Sequence, residues 1–155
     1  MTSLKKIFSA AVFLLLFAAA AAPVTYRDAS GRIAGTAVQN GNRTIYRDRT
    51  GKMVGTATQN GNRTIYRDAS GRITGTAAQT GSQTVYRNAQ GQYSGTATDY
   101  GSRTTYRDRS GRITGSSAPA GSQTIYRDGT GKVSGFANDP SKTPLTRDPY
   151  PRVAK

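Results

Sequence analysis

Apolar and polar residues alternate along most of this chain in a pattern that recurs every twenty residues. In the third copy, the run Thr64-Ile65-Tyr66 combines β-branched and aromatic side chains, which is typical of a β-strand. A second alternating run follows at 72–78, after a polar and glycine-containing segment. The frequent glycines disfavour helix. Each copy therefore predicts two antiparallel strands joined by tight turns.

Six tyrosines, each followed by arginine, mark six copies of the pattern. They are Tyr26, Tyr46, Tyr66, Tyr86, Tyr106 and Tyr126. A fixed period of this length is the signature of an array of supersecondary units. We therefore predict an all-β fold, an antiparallel β-hairpin repeat array with a 20-residue period, six copies and a degenerate seventh. The array is expected to form a meander or a β-solenoid-like stack, after an N-terminal signal helix.

The turn residues recur with the strands. Asp68 and Gly71 occupy the first and fourth positions of a predicted type I turn, where aspartate can accept from backbone amides and glycine can take positive φ. Asn60-Gly61 predicts a type I′ hairpin turn, in which both residues have positive φ. Each hairpin is therefore bounded by two turns of different chemistry.

Two registers are compatible with the Asp68–Gly71 turn. A two-residue loop places Tyr66 opposite Ile73, and this choice is preferred because it gives the cleaner apolar face. A three-residue loop with a bulge at Gly71 instead pairs Asp68 with its basic neighbour Arg72 and gives the better charge pair. In both registers Gly75 lies near Tyr66, which indicates a tyrosine ring packed over bare backbone.

The ends of the chain differ from the repeats. Residues 1–21 combine Lys5 and Lys6 with an apolar run and small residues, the layout of a signal peptide cleaved after Ala20 or Ala21. An uncleaved membrane anchor is the alternative. The six repeats occupy 22–137, and the proline-rich degenerate repeat at 138–155 is expected to blunt the last strand or to hang free. The mature protein is thus predicted to be exported, periplasmic or secreted, with no stable membrane span.

Charge and composition narrow the function. The chain carries 22 Lys and Arg against 8 acidic residues, and removal of Lys5 and Lys6 with the signal leaves +12. This surplus favours anionic partners, although it could serve solubility alone. Strongly apolar residues are few, so repeats must share a thin core or identical chains must supply it for each other.

Several kinds of chemistry are missing from the chain. It contains no His, Cys or Trp, and all of its acidic residues are aspartate. These absences remove Ser-His-Asp and Cys-His nucleophiles, imidazole or thiolate metal sites and glutamate acid–base pairs. We expect a protein that is not an enzyme and that needs no cofactor and no metal.

The segment Asp68–Ile73 and its equivalents resemble the YD-repeat family, whose core is Tyr-Asp-x-x-Gly-Arg followed by an aliphatic residue. The matching segments are 28–33, 48–53, 68–73, 108–113 and 128–133. Arginine stands where the family has the tyrosine before the aspartate. The resemblance implies β-hairpins within a larger sheet spiral or shell, but six copies are too few to enclose a cargo.

The arginines have no evident structural role in the predicted hairpin, so they are the candidate anion-binding residues. They are Arg27, Arg32, Arg47, Arg67, Arg72, Arg107, Arg112 and Arg127. The six tyrosines are candidates for packing or for stacking against a ligand.

The sequence predicts an exported protein that binds anionic polysaccharide, lipopolysaccharide or a host surface through this Tyr-Arg array; nucleic acid is a less favoured partner. There are two alternatives. One is a self-assembling amyloid-like fibre or matrix subunit, which would make the protein a homo-oligomer. The other is a secreted host-interaction factor.

Overall fold

Each repeat folds into two antiparallel strands, as the alternating pattern predicts. The computed structural model describes residues 22–140; the predicted signal segment and all but the start of the proline-rich tail lie outside the described residues. The strands are β1 (Val24–Asp28), β2 (Ile33–Asn40), β3 (Arg43–Asp48), β4 (Met53–Asn60), β5 (Arg63–Asp68), β6 (Ile73–Thr80), β7 (Gln83–Asn88), β8 (Tyr93–Asp99), β9 (Thr104–Asp108), β10 (Ile113–Ala120), β11 (Gln123–Asp128) and β12 (Val133–Asn138).

The sheet is a closed barrel of twelve antiparallel strands in which sequence neighbours are also spatial neighbours. The predicted meander of hairpins in sequential order agrees with the structure, whereas the β-solenoid-like stack does not, and closure by the pairing of β12 with β1 was not predicted. Across this closing seam Tyr26 lies opposite Ala137, as Tyr46 lies opposite Ala37 within the array. The sixth repeat thus pairs with the first in the same way as each earlier repeat pairs with the one that follows it. Because β12 is hydrogen-bonded to β1, it has no free edge there, and the proline-rich tail is not required to protect it.

The turn after the tyrosine strand has the wider of the two predicted loops. The Asp68 amide donates to the Arg72 carbonyl at 2.9 Å, and Gly71 donates to the Asp68 carbonyl at 3.1 Å. Arg67 consequently lies opposite Ile73, and the preferred two-residue loop is wrong. The wider loop lets Asp68 Oδ1 accept from the backbone amides of Ser70 and Arg72 and from the Ser70 hydroxyl at 2.6–3.0 Å. These bonds decide the register.

The turn at the other end also differs from the prediction. Asn60 is the last residue of β4 and pairs with Arg63, so Gly61 and Asn62 form the two-residue loop. Gly61 has φ +59°, whereas no other residue type in the described part of the chain has positive φ. This is the pattern of a type II′ turn and not type I′. Asn62 also bonds to β6, since its carbonyl accepts from the Gln79 amide at 2.9 Å.

A bulge beside each tyrosine explains the second glycine of the repeat. Tyr66 lies opposite Gly75 but Arg67 lies opposite Ile73, so one extra residue is accommodated on β6. A Cβ atom on Gly75 would lie 2.6 Å from the carbonyl oxygen of Arg87 on the following strand. The corresponding glycines make the same close approach, including Gly135 to Arg27 across the closing seam. Glycine is therefore required for the close approach of the next strand as well as for the space that the tyrosine ring occupies.

The core lies inside the barrel and is thin. Its centre is formed by the buried side chains of Ala37, Tyr46 and Ala57, against which Tyr26 and Tyr66 pack. No side chain in the described part of the chain reaches complete burial. Among residues 22–140 no helix is long and apolar enough to cross a membrane.

We predict that Gly75→Ala destabilises the protein by about 1–3 kcal/mol, because the added methyl group overpacks a backbone contact. Urea unfolding followed by circular dichroism measures the change. Thr74→Ala, at the exposed neighbouring position, is the matched control and should change stability by less than about 0.5 kcal/mol. Equal stabilities for the two variants would contradict the assigned role of the glycine.

Candidate functional site

Consecutive tyrosine and arginine side chains point to opposite sides of the barrel wall. Tyr46 is 6% exposed and lies in the core, whereas Arg47 is exposed. Alternation along a strand requires this separation. The two halves of the predicted Tyr-Arg array therefore occupy different surfaces, and only the arginines face solvent.

Each tyrosine lies between two small residues. Tyr66 faces Ala57 on the preceding strand and Gly75 on the following one. Burial raises the pKa of Tyr26, and the neighbouring hydroxyl and carboxyl groups of Tyr46, Asp139 and Tyr106 raise it further. Since Tyr26 and Tyr106 stand on strands separated by three others, the rings converge toward the barrel axis. The structure places the tyrosines as interior packing groups and not as exposed stacking surfaces.

The arginine after each tyrosine has a structural role that the sequence interpretation missed. In all six repeats its Nη1 donates to the carbonyl oxygen of the glycine four residues later, at 2.8 Å for Arg27 to Gly31 and 3.0 Å for Arg87 to Gly91. This bond closes the turn and fixes the guanidinium. Because a guanidinium has five N–H donors, most donors of each arginine remain available to a ligand. Arg87, absent from the predicted set, makes the same contact.

The second predicted set, Arg32, Arg72 and Arg112, lies in the turns themselves. The backbone amide of Arg72 donates to Asp68 Oδ1. The Ser70 hydroxyl contributes most to lowering the pKa of Asp68, and the positive charge of Arg72 adds a smaller contribution. Within residues 22–140 no guanidinium of this second set has a hydrogen-bond partner. Lys52 and Lys132 occupy the same position and were missed because the prediction considered arginine alone.

All of these residues lie at one end of the barrel, because alternate turns of a sequential antiparallel sheet share an end. We call this set the basic rim. It consists of Arg27, Arg32, Arg47, Arg49, Lys52, Arg67, Arg72, Arg87, Arg107, Arg109, Arg112, Arg127 and Lys132. Among residues 22–140, five aspartates accompany these thirteen cations at the same end, a surplus of eight, whereas the opposite end has three arginines and two aspartates, a surplus of one. The barrel is thus strongly polarised along its axis.

The fourth repeat has different residues in its turn but still contributes positive charge to the basic rim. Gln92 replaces the second cation, but Asn88 replaces the aspartate, so the turn keeps a net charge of +1. Asn88 Oδ1 still accepts from the amides of Gln90 at 3.0 Å and Gln92 at 2.9 Å. The paired change preserves both the turn geometry and the local surplus of positive charge.

Comparison with known proteins adds information on the fold only. No protein-family model and no curated protein matches the chain. A crystal structure of the Arabidopsis thaliana protein AT5G01750 superimposes with a TM-score of 0.54 at 9% sequence identity, covering 80% of this chain and 85% of that one. At this identity the likeness concerns the fold alone.

We predict that the six interior tyrosines resist ionisation in the folded protein. Burial raises their pKa above the ordinary value. A raised folded-state pKa contributes stability that is present below about pH 10 and is lost as the pH rises further. Tyrosinate absorbance should therefore remain partial above pH 10 and increase together with loss of the circular dichroism signal. Complete ionisation near pH 10 with an intact spectrum would contradict the buried positions.

Proposed function

We propose that this protein is a non-enzymatic binding protein that attaches to anionic envelope or host-surface polymers, such as acidic polysaccharide or lipopolysaccharide, through the basic rim. The observation that carries the proposal is the concentration of thirteen of the sixteen cations of residues 22–140 at one end of the barrel. The predicted export signal at 1–21 would bring the protein to such polymers.

The guanidinium groups of the rim are suited to anions by geometry as well as by charge. Arg67 Nη1 is held by the Gly71 carbonyl at 2.9 Å, so the side chain is partly ordered before a ligand binds. Preordering lowers the entropy lost on binding. The planar group can then offer paired N–H donors to carboxylate, sulfate or phosphate.

Repetition strengthens the proposed attachment. The same arginine–glycine contact occurs at six positions around the barrel. The doubly charged turns containing Arg49 and Arg109 connect β3 to β4 and β9 to β10, six strands apart on opposite sides of the rim. A polymer that engages one turn raises the effective concentration of its other anionic groups at the remaining turns. Weak individual contacts would thereby give a stable complex.

Barrel closure weighs against the fibre hypothesis. Each strand of the described region is hydrogen-bonded to a neighbour on both sides, so those strands offer no free edge for another chain. A fibre built from this sheet would first require the β1–β12 seam to open. A second chain is likewise not needed to complete the sheet, and the structure gives the homo-oligomer no specific support.

The test compares removal of equal charge from the two ends. We predict that Arg32→Gln/Arg72→Gln/Arg112→Gln weakens binding to heparin about tenfold, because each exposed ion contact contributes about 0.5 kcal/mol. Arg43→Gln/Arg63→Gln/Arg103→Gln at the opposite end is the matched control and should bind nearly as the unmodified protein does. The measurement is the salt concentration required for elution. Equal losses in both variants would show that net charge, not the rim, governs binding.

A further inference from the structure

Exposed apolar residues occur within the basic rim. Ile33, Ile73, Tyr93 and Ile113 occupy the same position in four repeats and are 41–48% exposed. Met53 and Val133 hold that position in the other two repeats and are half-buried. We call these six residues the apolar ring. A partly exposed aliphatic or aromatic side chain at each of four equivalent positions is a systematic feature of this end and not a single surface irregularity.

The residues of the apolar ring alternate around the barrel with the arginines that are hydrogen-bonded to the turn glycines. Arg27 lies opposite Ile33 across the first hairpin, and Arg67 lies opposite Ile73 across the third. The pairing recurs in every hairpin as Arg47–Met53, Arg87–Tyr93, Arg107–Ile113 and Arg127–Val133. Since each guanidinium is held over its own turn, cationic and apolar groups are presented side by side.

The opposite end has a different surface. At that end, one position of the repeat is occupied in turn by Arg43, Arg63, Gln83, Arg103 and Gln123. Of the exposed large apolar residues between 22 and 140, Tyr100 lies at that end and is 65% exposed. Within the described part of the chain, the combination of a cationic ring with an apolar ring therefore occurs only at the end that carries the larger positive surplus.

We propose that the basic rim docks end-on against an anionic lipid layer, with its cations among the lipid phosphates and the apolar ring at the boundary of the acyl chains. This inference rests on the proposed function and specifies the partner at the same site. A hydrated polysaccharide supplies negative charge but no apolar phase, whereas a lipid surface supplies both within a short depth. A ring around the barrel meets a flat surface at all its positions only when the barrel axis is perpendicular to that surface.

Long cationic side chains fit this arrangement because they extend toward phosphate while their aliphatic stems remain in apolar surroundings. The turns reach furthest from the barrel, and in the third repeat the turn presents Arg72 just before Ile73. The order along the axis is therefore charge first and apolar group behind it. Shallow insertion of the rim would place both groups at their preferred depths.

The orientation is tested with single-tryptophan proteins, since the chain contains no tryptophan. Tyr93→Trp places the probe in the apolar ring, and Tyr100→Trp places it at the opposite end as a matched control. Vesicles of phosphatidylglycerol and phosphatidylcholine in equal parts, with and without brominated acyl chains, are added to each protein. We expect a blue shift and bromine quenching for Tyr93→Trp and neither for Tyr100→Trp. Equal responses, or a response at Tyr100→Trp alone, would overturn the end-on docking.

A second experiment separates lipid docking from general anion binding. Ile33→Ser/Ile73→Ser/Ile113→Ser should lower affinity for the same vesicles about tenfold or more, because the apolar contribution is removed while the charge is kept. Its elution from heparin should not change, and an unaltered thermal unfolding curve verifies the fold. Tyr100→Ser is the control and should retain vesicle binding.

The outcomes distinguish the two proposals. Heparin binding by the unmodified protein without vesicle binding, or vesicle binding that the triple serine variant leaves intact, overturns the lipid inference and leaves the proposed function standing. Failure of the unmodified protein to bind both heparin and anionic vesicles overturns the proposed function itself. Loss of vesicle binding in the triple variant with heparin binding retained supports both.

Discussion

The fit of six tyrosine rings inside the barrel is the constraint on which the rest of the structure depends. Each ring needs small neighbours on both adjacent strands, and Tyr66 has them in Ala57 and Gly75. The glycine also allows the close approach to the next strand's carbonyl oxygen. Large and small residues alternate around the circumference, so the aromatic rings supply most of the apolar surface of the core, although strongly apolar residues are few.

The basic rim follows from the same alternation. The residues on either side of an inward tyrosine must face outward, and in all six repeats the residue that follows the tyrosine is arginine. Its hydrogen bond to the turn glycine makes the cation part of the hairpin as well as part of the surface. The six equivalent turns share one edge of the sequential antiparallel sheet, and closure arranges them in a ring. An axial concentration of charge thus arises from turns that, taken singly, carry only one or two surplus cations.

The sequence predicted the local features well and the global ones poorly. The strands, the Asp68 and Gly71 turn residues and the proximity of Tyr66 to Gly75 follow from side-chain chemistry within one repeat. The register was wrong because the preferred apolar pairing left out the bonds that Asp68 Oδ1 accepts in a wider loop. Closure was missed because a single repeat does not reveal whether its twist brings the sixth copy back to the first. The rim could be predicted only in part: its turns share one edge of any sequential antiparallel sheet, but their arrangement in a ring depends on that closure.

The central claim is that β1 and β12 close the barrel, and a disulfide across the seam tests it most directly. Thr25 and Asn138 are directly opposed on these strands, and facing residues of antiparallel strands lie within the usual disulfide span. The chain contains no cysteine, so Thr25→Cys/Asn138→Cys can be oxidised without competing thiols. The account predicts a rapid intramolecular disulfide in dilute protein, and none for Thr25→Cys/Thr58→Cys, whose strands are not neighbours. Absence of the seam disulfide, or its formation only between chains, would contradict the closed barrel.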